Sequence, residues 1–167
     1  MNIQLESLQL IRFDEEKHKH LMEELVYGNS RSEYIYDIAG RLLKSKNNTK
    51  SIYQSAFIVE MSGQPLGYLY ISNMVNDEVF LEYEIAKNFR GMGYGSKLVQ
   101  EVTDYLFQQH NIKSIRLDID PSNKNSTRVA ENCGYTIDEE EFVSRGFKGR
   151  MQFVKESEYY VSKRRKK

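Results

Sequence analysis

The sequence predicts a mixed α/β fold, a mostly antiparallel sheet of about six to seven strands flanked by about four helices. Three observations predict it. Short runs rich in β-formers are joined by turns dense in Gly, Pro, Asn and Asp, which favours antiparallel neighbours. Other segments repeat apolar residues at helical spacing. One of these helices separates two strand-like runs, and a helix in that position makes its flanking strands parallel through a right-handed crossover.

Leu8 to Phe13 reads as the first strand, followed by a helix from about Asp14 to Tyr27 with Leu21, Leu25 and Met22 on its buried side. Asp14 is its expected N-cap, with Lys17 where a capping-box Glu would stand. A second helix, Glu33 to Lys44, carries Ile35, Ile38, Leu42 and Leu43, and the polar run Ser45 to Ser51 is a loop. Phe57 to Met61 and Leu66 to Ile71 flank Ser62, Gly63, Gln64 and Pro65, so a hairpin is expected. Asn76 and Asp77 turn the chain into a strand that ends near Ala86. Leu98, Val99, Val102, Tyr105 and Leu106 then mark a helix, with Lys97, Glu101 and Asp104 on its surface. Ile115 to Ile119 is the next strand, Pro121 to Asn125 a loop, and Ser126 to Asn132 a short helix closing on Cys133, Gly134 and Tyr135. Two further strands complete the order.

A length of 167 residues with 40% hydrophobic content suits one domain, 1–160, with a basic tail at 161–167. The formal net charge of zero gives the whole molecule no electrostatic reason to seek nucleic acid or an anionic membrane. Lys163 to Lys167 are a local exception, read as a solvated, frayed end. No apolar run approaches the roughly twenty residues needed to cross a bilayer. With a lone cysteine and no export signal, the expected location is the cytoplasm.

Arg90 to Gly95, read as RGMGYG, sits between the fourth strand and the helix that follows it. Glycine there permits positive φ and removes the Cβ that would block a ligand, while the first helical N–H groups carry partial positive charge. This is an anion site, most naturally for phosphate. A Walker loop requires Lys directly after the last Gly, whereas Gly95 is followed by Ser96; a dinucleotide fingerprint requires a wider final spacing than Gly91, Gly93 and Gly95 have. Arg90, Gly93 and Gly95 instead fit a pattern that resembles the acyl-CoA pyrophosphate loop of the general N-acetyltransferase superfamily (GNAT). Asn123, Ser126, Gly134 and Tyr135 resemble the second signature of the same family. The resemblance is specific over Leu66 to Tyr135.

The resemblance implies a GNAT-like sheet whose two central parallel strands splay apart, with acetyl-CoA in the gap. The backbone around Arg90, Gly91, Met92, Gly93, Tyr94, Gly95 and Ser96 would then hold the pyrophosphate. The strand edge from Tyr83 to Ile85 would pair with the pantetheine amides, and Asn123 would reach the pantetheine or thioester region. Asn123 also reads as a turn residue before a helix. The implied activity is transfer of an acetyl group to a primary amine of a small molecule or peptide, by direct attack in a ternary complex. The alternative is a non-catalytic acyl-CoA-binding or regulatory module of the same fold.

Acetyl transfer needs a neutral amine, a polarised carbonyl and a proton for the thiolate. Glu82 and Glu84 alternate to one strand face and are candidates for the base or for holding the acceptor's charge; salt bridging is their other reading. Asp118 and Asp120 also share a face and are candidates for lining a cation pocket, while Glu139 to Glu141 read as an exposed acidic segment. These acids favour a cationic acceptor. Many GNAT enzymes place an acidic Tyr seven residues after the Asn; that position is Ala130, so the general acid is unassigned. Tyr135 and Cys133 read as core, the latter because a helix C-terminus disfavours a thiolate. His18 and His20 project about 200° apart on a helix, so no metal is expected. A homodimer is left open.

Overall fold

The structure, a computed structural model, describes residues 2–27, 32–48, 50–139 and 151–165. Eight strands among these residues form one sheet in the order β1 (Ile3–Gln4), β2 (Gln9–Ile11), β3 (Ser55–Met61), β4 (Gln64–Ile71), β5 (Glu78–Ile85), β6 (Ser114–Ile119), β8 (Met151–Glu156), β7 (Thr136–Ile137). Every pairing is antiparallel except β5 with β6. The helices are α1 (Lys19–Tyr27), α2 (Ser32–Ser45), α3 (Tyr94–Gln109), α4 (Lys124–Asn132) and α5 (Glu158–Arg165). The expected mixed, mostly antiparallel sheet is present, with α3 as the crossover between the parallel pair.

Alternation along the strands divides the core in two. Phe57, Val59, Leu69, Ile71, Val79, Leu81, Ile115 and Leu117 pack with Leu98, Val102 and Leu106 of α3 on one sheet face. Ala56, Ile58 and Tyr68 pack on the other face with Leu21 and Leu25 of α1 and Ile38 and Leu42 of α2. Leu43, expected with these, is exposed, because it follows Leu42 by one position and so turns off the buried stripe. Ile35 lies where side chains are outside the described residues.

Three further expectations change. The first helix begins at Lys19, not Asp14; Asp14 Oδ1 accepts from the N–H groups of Glu16 and Lys17 and so caps a turn ahead of the helix. Glu101 is buried rather than on the surface, accepting from the N–H groups of Ser7 and Leu8 at 2.6 and 3.1 Å, which ties α3 to the loop before β2. The basic tail is helical through Arg165, with Lys163 over the Tyr159 ring and Arg164 paired with Glu156.

The sheet positions the site by where its central pair ends. β5 and β6 are in register from Glu78 with Ser114 to Leu81 with Leu117, and no further. β5 continues to Ile85 and β6 to Ile119, so the strands part at their C-terminal ends.

Candidate functional site

The parted strands open into a cleft of about 450 Å³. Its walls are Tyr83 to Ile85 of β5, the glycine loop, the first turn of α3, and the exposed face of α4 with Asn123, Ser126 and Arg128. The residues expected to hold the donor are thus brought together: Tyr83, Ile85, Arg90, Gly91, Gly93, Tyr94, Gly95, Ser96 and Asn123 all line this space. Met92 does not line it and is exposed.

Strand polarity decides what β5 offers to the cleft. The N–H and C=O groups of successive residues point to opposite edges. Phe80 O accepts from Ser72 N, and Ala86 N donates to Leu66 O, so the even-numbered residues face β4. Tyr83 and Ile85 therefore turn their backbone groups toward the gap. Ile85 O is already engaged by Arg90 Nε at 2.9 Å, and the same guanidinium pairs with Glu84 at 2.8 Å. Arg90 thereby pins the glycine loop to the end of β5 through its side chain, a role that spacing alone did not show.

The loop turns through left-handed conformations at Gly91 and Gly93, with φ of 76° and 84°, which glycine adopts without strain. Gly93 is also the N-cap of α3 and contributes no side-chain cap. The first-turn N–H groups of a 16-residue helix consequently face the cleft with their partial positive charge available. Gly95 fits against Val129 and Tyr83: a Cβ there would lie 3.4 Å and 3.6 Å from their side chains. Tyr94 packs edge-on against Phe89, so it is part of the loop's support.

Asn123 is the N-cap of α4, its Oδ1 accepting from Ser126 N at 3.1 Å. The turn role is met, and the amide nitrogen retains its donors. Arg128, five positions on, presents a guanidinium on the cleft wall and has no ion pair among the described residues. Sequence reasoning missed it; a cation on the solvent side of the helix behind Asn123 was the available signal. Ala130 is fully buried. Tyr83 was expected to act through its backbone, yet its ring also stands in the cleft, against Gly95 and near Ser126. Burial pushes the Tyr83 phenol above its ordinary range.

Glu82 and Glu84 share a sheet face as expected, and each meets an arginine: Glu82 pairs with Arg41 of α2, Glu84 with Arg90. Asp120 Oδ1 accepts from the N–H and hydroxyl of Ser122 and so shapes the turn into α4. Asp118 stands opposite Gln152 in the β6–β8 register. Glu139 is exposed, while Glu140 and Glu141 lie outside the described residues. Cys133 is buried and its thiol is pushed up by that burial; Tyr135 is buried with its hydroxyl 2.7 Å from Thr103 Oγ1. His18 is buried beside Glu60 whereas His20 is exposed beside Glu24, and among the described residues no cluster of His, Cys, Asp or Glu has metal-site geometry. Among them, too, no helix is long and apolar enough to cross a membrane.

A larger cavity, about 780 Å³, lies over the start of the parallel pair. It contains no glycine loop or helix N-terminus, and its central Arg116 is already paired with Glu78 and Asp138, each at 2.7 Å. The smaller cleft is the better anion site on chemistry.

A family model described as an acetyltransferase (GNAT) domain matches residues 7–136. Among solved structures, an acetyltransferase of the GNAT family from Bacillus anthracis is similar with a TM-score of 0.67 at 17% identity, over 95% of this chain and 99% of that one. A ribosomal L7/L12 alpha-N-protein acetyltransferase in complex with coenzyme A has a TM-score of 0.64 at 15% identity, over 92% and 98% of the two chains. The microcin C7 self-immunity acetyltransferase, in complex with acetyl-CoA and AMP, has a TM-score of 0.65 at 14% identity, over 90% and 93%. At these identities the likeness is one of fold. No curated protein matches in sequence. The family match takes in both strands of the splay, the glycine loop and the Asn123 helix, and by it the chain belongs to the GNAT family of acetyltransferases.

Proposed function

We propose that this protein transfers the acetyl group of acetyl-CoA to a primary amine of a small molecule or peptide, by direct attack in a ternary complex in the cytoplasm. The observation that carries the reading is the end of β5–β6 pairing at Leu81 and Leu117, which opens the sheet directly onto the glycine loop and the uncapped N-terminus of α3.

The N–H groups from Gly91 to Ser96 hold the pyrophosphate, with Arg90 fixing the loop and Arg128 adding a positive charge at the wall. Backbone groups of Tyr83 and Ile85 continue the sheet onto the pantetheine amides, and Asn123 donates to the same arm. A gap-facing N–H of β5 polarises the thioester oxygen. Glu82 and Glu84 face the acceptor side, where carboxylates hold the ammonium and accept its proton directly or through water. Tyr83 supplies the proton to the departing thiolate: its ring lines the cleft beside Ser126, and its hydroxyl, buried just behind that wall with no hydrogen-bond partner among the described residues, keeps its proton at neutral pH. The acid residues of this face favour a cationic acceptor.

Binding of acetyl-CoA measured by calorimetry, followed by CoA release with a panel of primary amines and peptides, tests this. Absence of binding at millimolar acetyl-CoA would sink the reading. Binding with no turnover over a broad panel would favour the alternative, a non-catalytic acyl-CoA-binding module, which the buried Ala130 at the family's tyrosine position supports.

A further inference from the structure

Tyr70, Tyr68 and Glu82 together make a site for a cation, and Arg41 fills it. Tyr70 and Glu82 are directly opposite one another in the β4–β5 register. Arg41 reaches down from α2 with its guanidinium carbon 3.9 Å from the centre of the Tyr70 ring, and it pairs with the Glu82 carboxylate. The hydroxyl of Tyr68 is buried with no hydrogen-bond partner among the described residues, and it interacts electrostatically with the same guanidinium. An aromatic face beside a carboxylate and a phenol is the chemistry that recognises an ammonium group.

Its position matters as much as its composition. Glu82 is the first residue of β5 beyond the last pair with β6, so it stands at the mouth of the splay, on the sheet face covered by α1 and α2 rather than by α3. The two charged side chains remain partly exposed, Arg41 at 29% and Glu82 at 37%. Opening the pair therefore leaves neither charge buried and unpaired, which is the costly outcome for a buried pair. Arg90 differs, because its additional bond to the Ile85 carbonyl ties it to the backbone.

We propose that Arg41 is a gate that selects the acceptor: it occupies the acceptor's cation site when no acceptor is bound, and a protonated amine enters by displacing the guanidinium from Glu82 and Tyr70. The inference rests on the acyltransferase reading for its purpose, though its physical content is an exchange of one cation for another. A neutral molecule offers nothing to replace Arg41 at Glu82, so it does not drive the exchange. The gate accordingly favours cationic amines over neutral ones of the same size.

The test needs no turnover. Butylammonium chloride is titrated into protein labelled with ¹³C at glutamate side chains, with the Glu82 carboxyl signal assigned by its loss in Glu82→Gln. The Glu82 signal in Arg41→Gln is expected to shift at a concentration about fivefold lower than in the wild type, the size of one partly exposed ion pair. Arg41→Lys, which restores a cation, should resemble the wild type, and butanol should move the signal in neither. Arg41→Met, which keeps the aliphatic stem over Tyr70, replaces Arg41→Gln if that variant does not fold. Equal midpoints in the wild type and the uncharged variant, or no shift in either, would overturn the gate. Acetyl-CoA calorimetry on the same samples reports the donor site separately, so failure there counts against the transfer reading and leaves the butylammonium comparison standing.

Discussion

A β-carbon on Gly67 would stand 2.2 Å from the carbonyl oxygen of Glu84. Gly67 pairs with Ile85, at the end of β5 where the strand has lost β6 and its other edge faces the cleft. The close approach of β4 therefore sets where that edge lies. Gly67→Ala forces backbone against backbone, and the expected cost is about 1–3 kcal/mol, as for other overpacked sites. Thermal melting should show it as a lowered Tm, with weaker acetyl-CoA binding by calorimetry. Gly40→Ala in α2 is the contrasting substitution: a Cβ there meets nothing within 4 Å, and stability should rise by about 0.5–1 kcal/mol.

Gly93 and Gly95 answer differently to substitution although both belong to the loop. Gly93 is left-handed and its missing Cβ faces open space in the cleft, so Gly93→Asp combines backbone strain with a negative charge where phosphate is expected. Gly95 has no positive φ, and a methyl group there makes ordinary contacts with Val129 and Tyr83. Acetyl-CoA affinity should fall about 100-fold or more in Gly93→Asp, roughly 2.7 kcal/mol, and change less than about threefold in Gly95→Ala. Native affinity in Gly93→Asp would remove the phosphate assignment.

What was legible in the sequence was local. The change from period two along Val79 to Ala86, through alternate glycines, to helical spacing from Leu98 lies within one continuous stretch, and it located the parallel pair, the loop and the helix N-terminus. Asn123 as a turn residue was equally local, since its cap bond reaches only to Ser126. Contacts between distant segments were not legible. Glu101 looked like a surface acid because its partners Ser7 and Leu8 lie more than ninety positions away, and the Arg41–Glu82 pair spans 41 positions. Arg90 is instructive for another reason: the pattern singled it out, but only the folded structure shows that its side chain holds Ile85 O and Glu84.

Tyr83 is tested most cleanly by Tyr83→Phe, which keeps the ring against Gly95 and removes only the hydroxyl. If Tyr83 protonates the thiolate, kcat should fall about 100-fold, in the range typical of lost general acid catalysis, with the acetyl-CoA dissociation constant unchanged. The high-pH limb of the kcat profile should also vanish with the phenol. An unaltered kcat would assign the proton to solvent or to another group.

His18 makes stability depend on pH in a predictable direction. Its Nδ1 accepts the Asp14 N–H at 2.9 Å, so the neutral ring carries its proton on Nε2, which lies 3.5 Å from Glu60 Oε1. Lys17 Nζ meets the same oxygen at 3.3 Å, and the Phe13 ring stacks on the imidazole. Protonating Nδ1 would turn an acceptor against the Asp14 donor inside a buried site. Burial is the largest cause lowering the His18 pKa, and Lys17 adds to it, while Glu60 and Asp14 oppose. A base whose folded pKa lies below the unfolded 6.5 binds fewer protons when folded, so its stabilising contribution is complete above that value and is lost as pH falls toward the folded pKa. Each kcal/mol so linked moves Tm by about 2–4 °C in a chain of this size. Between pH 7.5 and 5, the Tm of the wild type should therefore fall further than that of His18→Gln, which cannot take up the proton. Parallel curves for the two proteins would show that His18 remains uncharged throughout and that acid acts elsewhere.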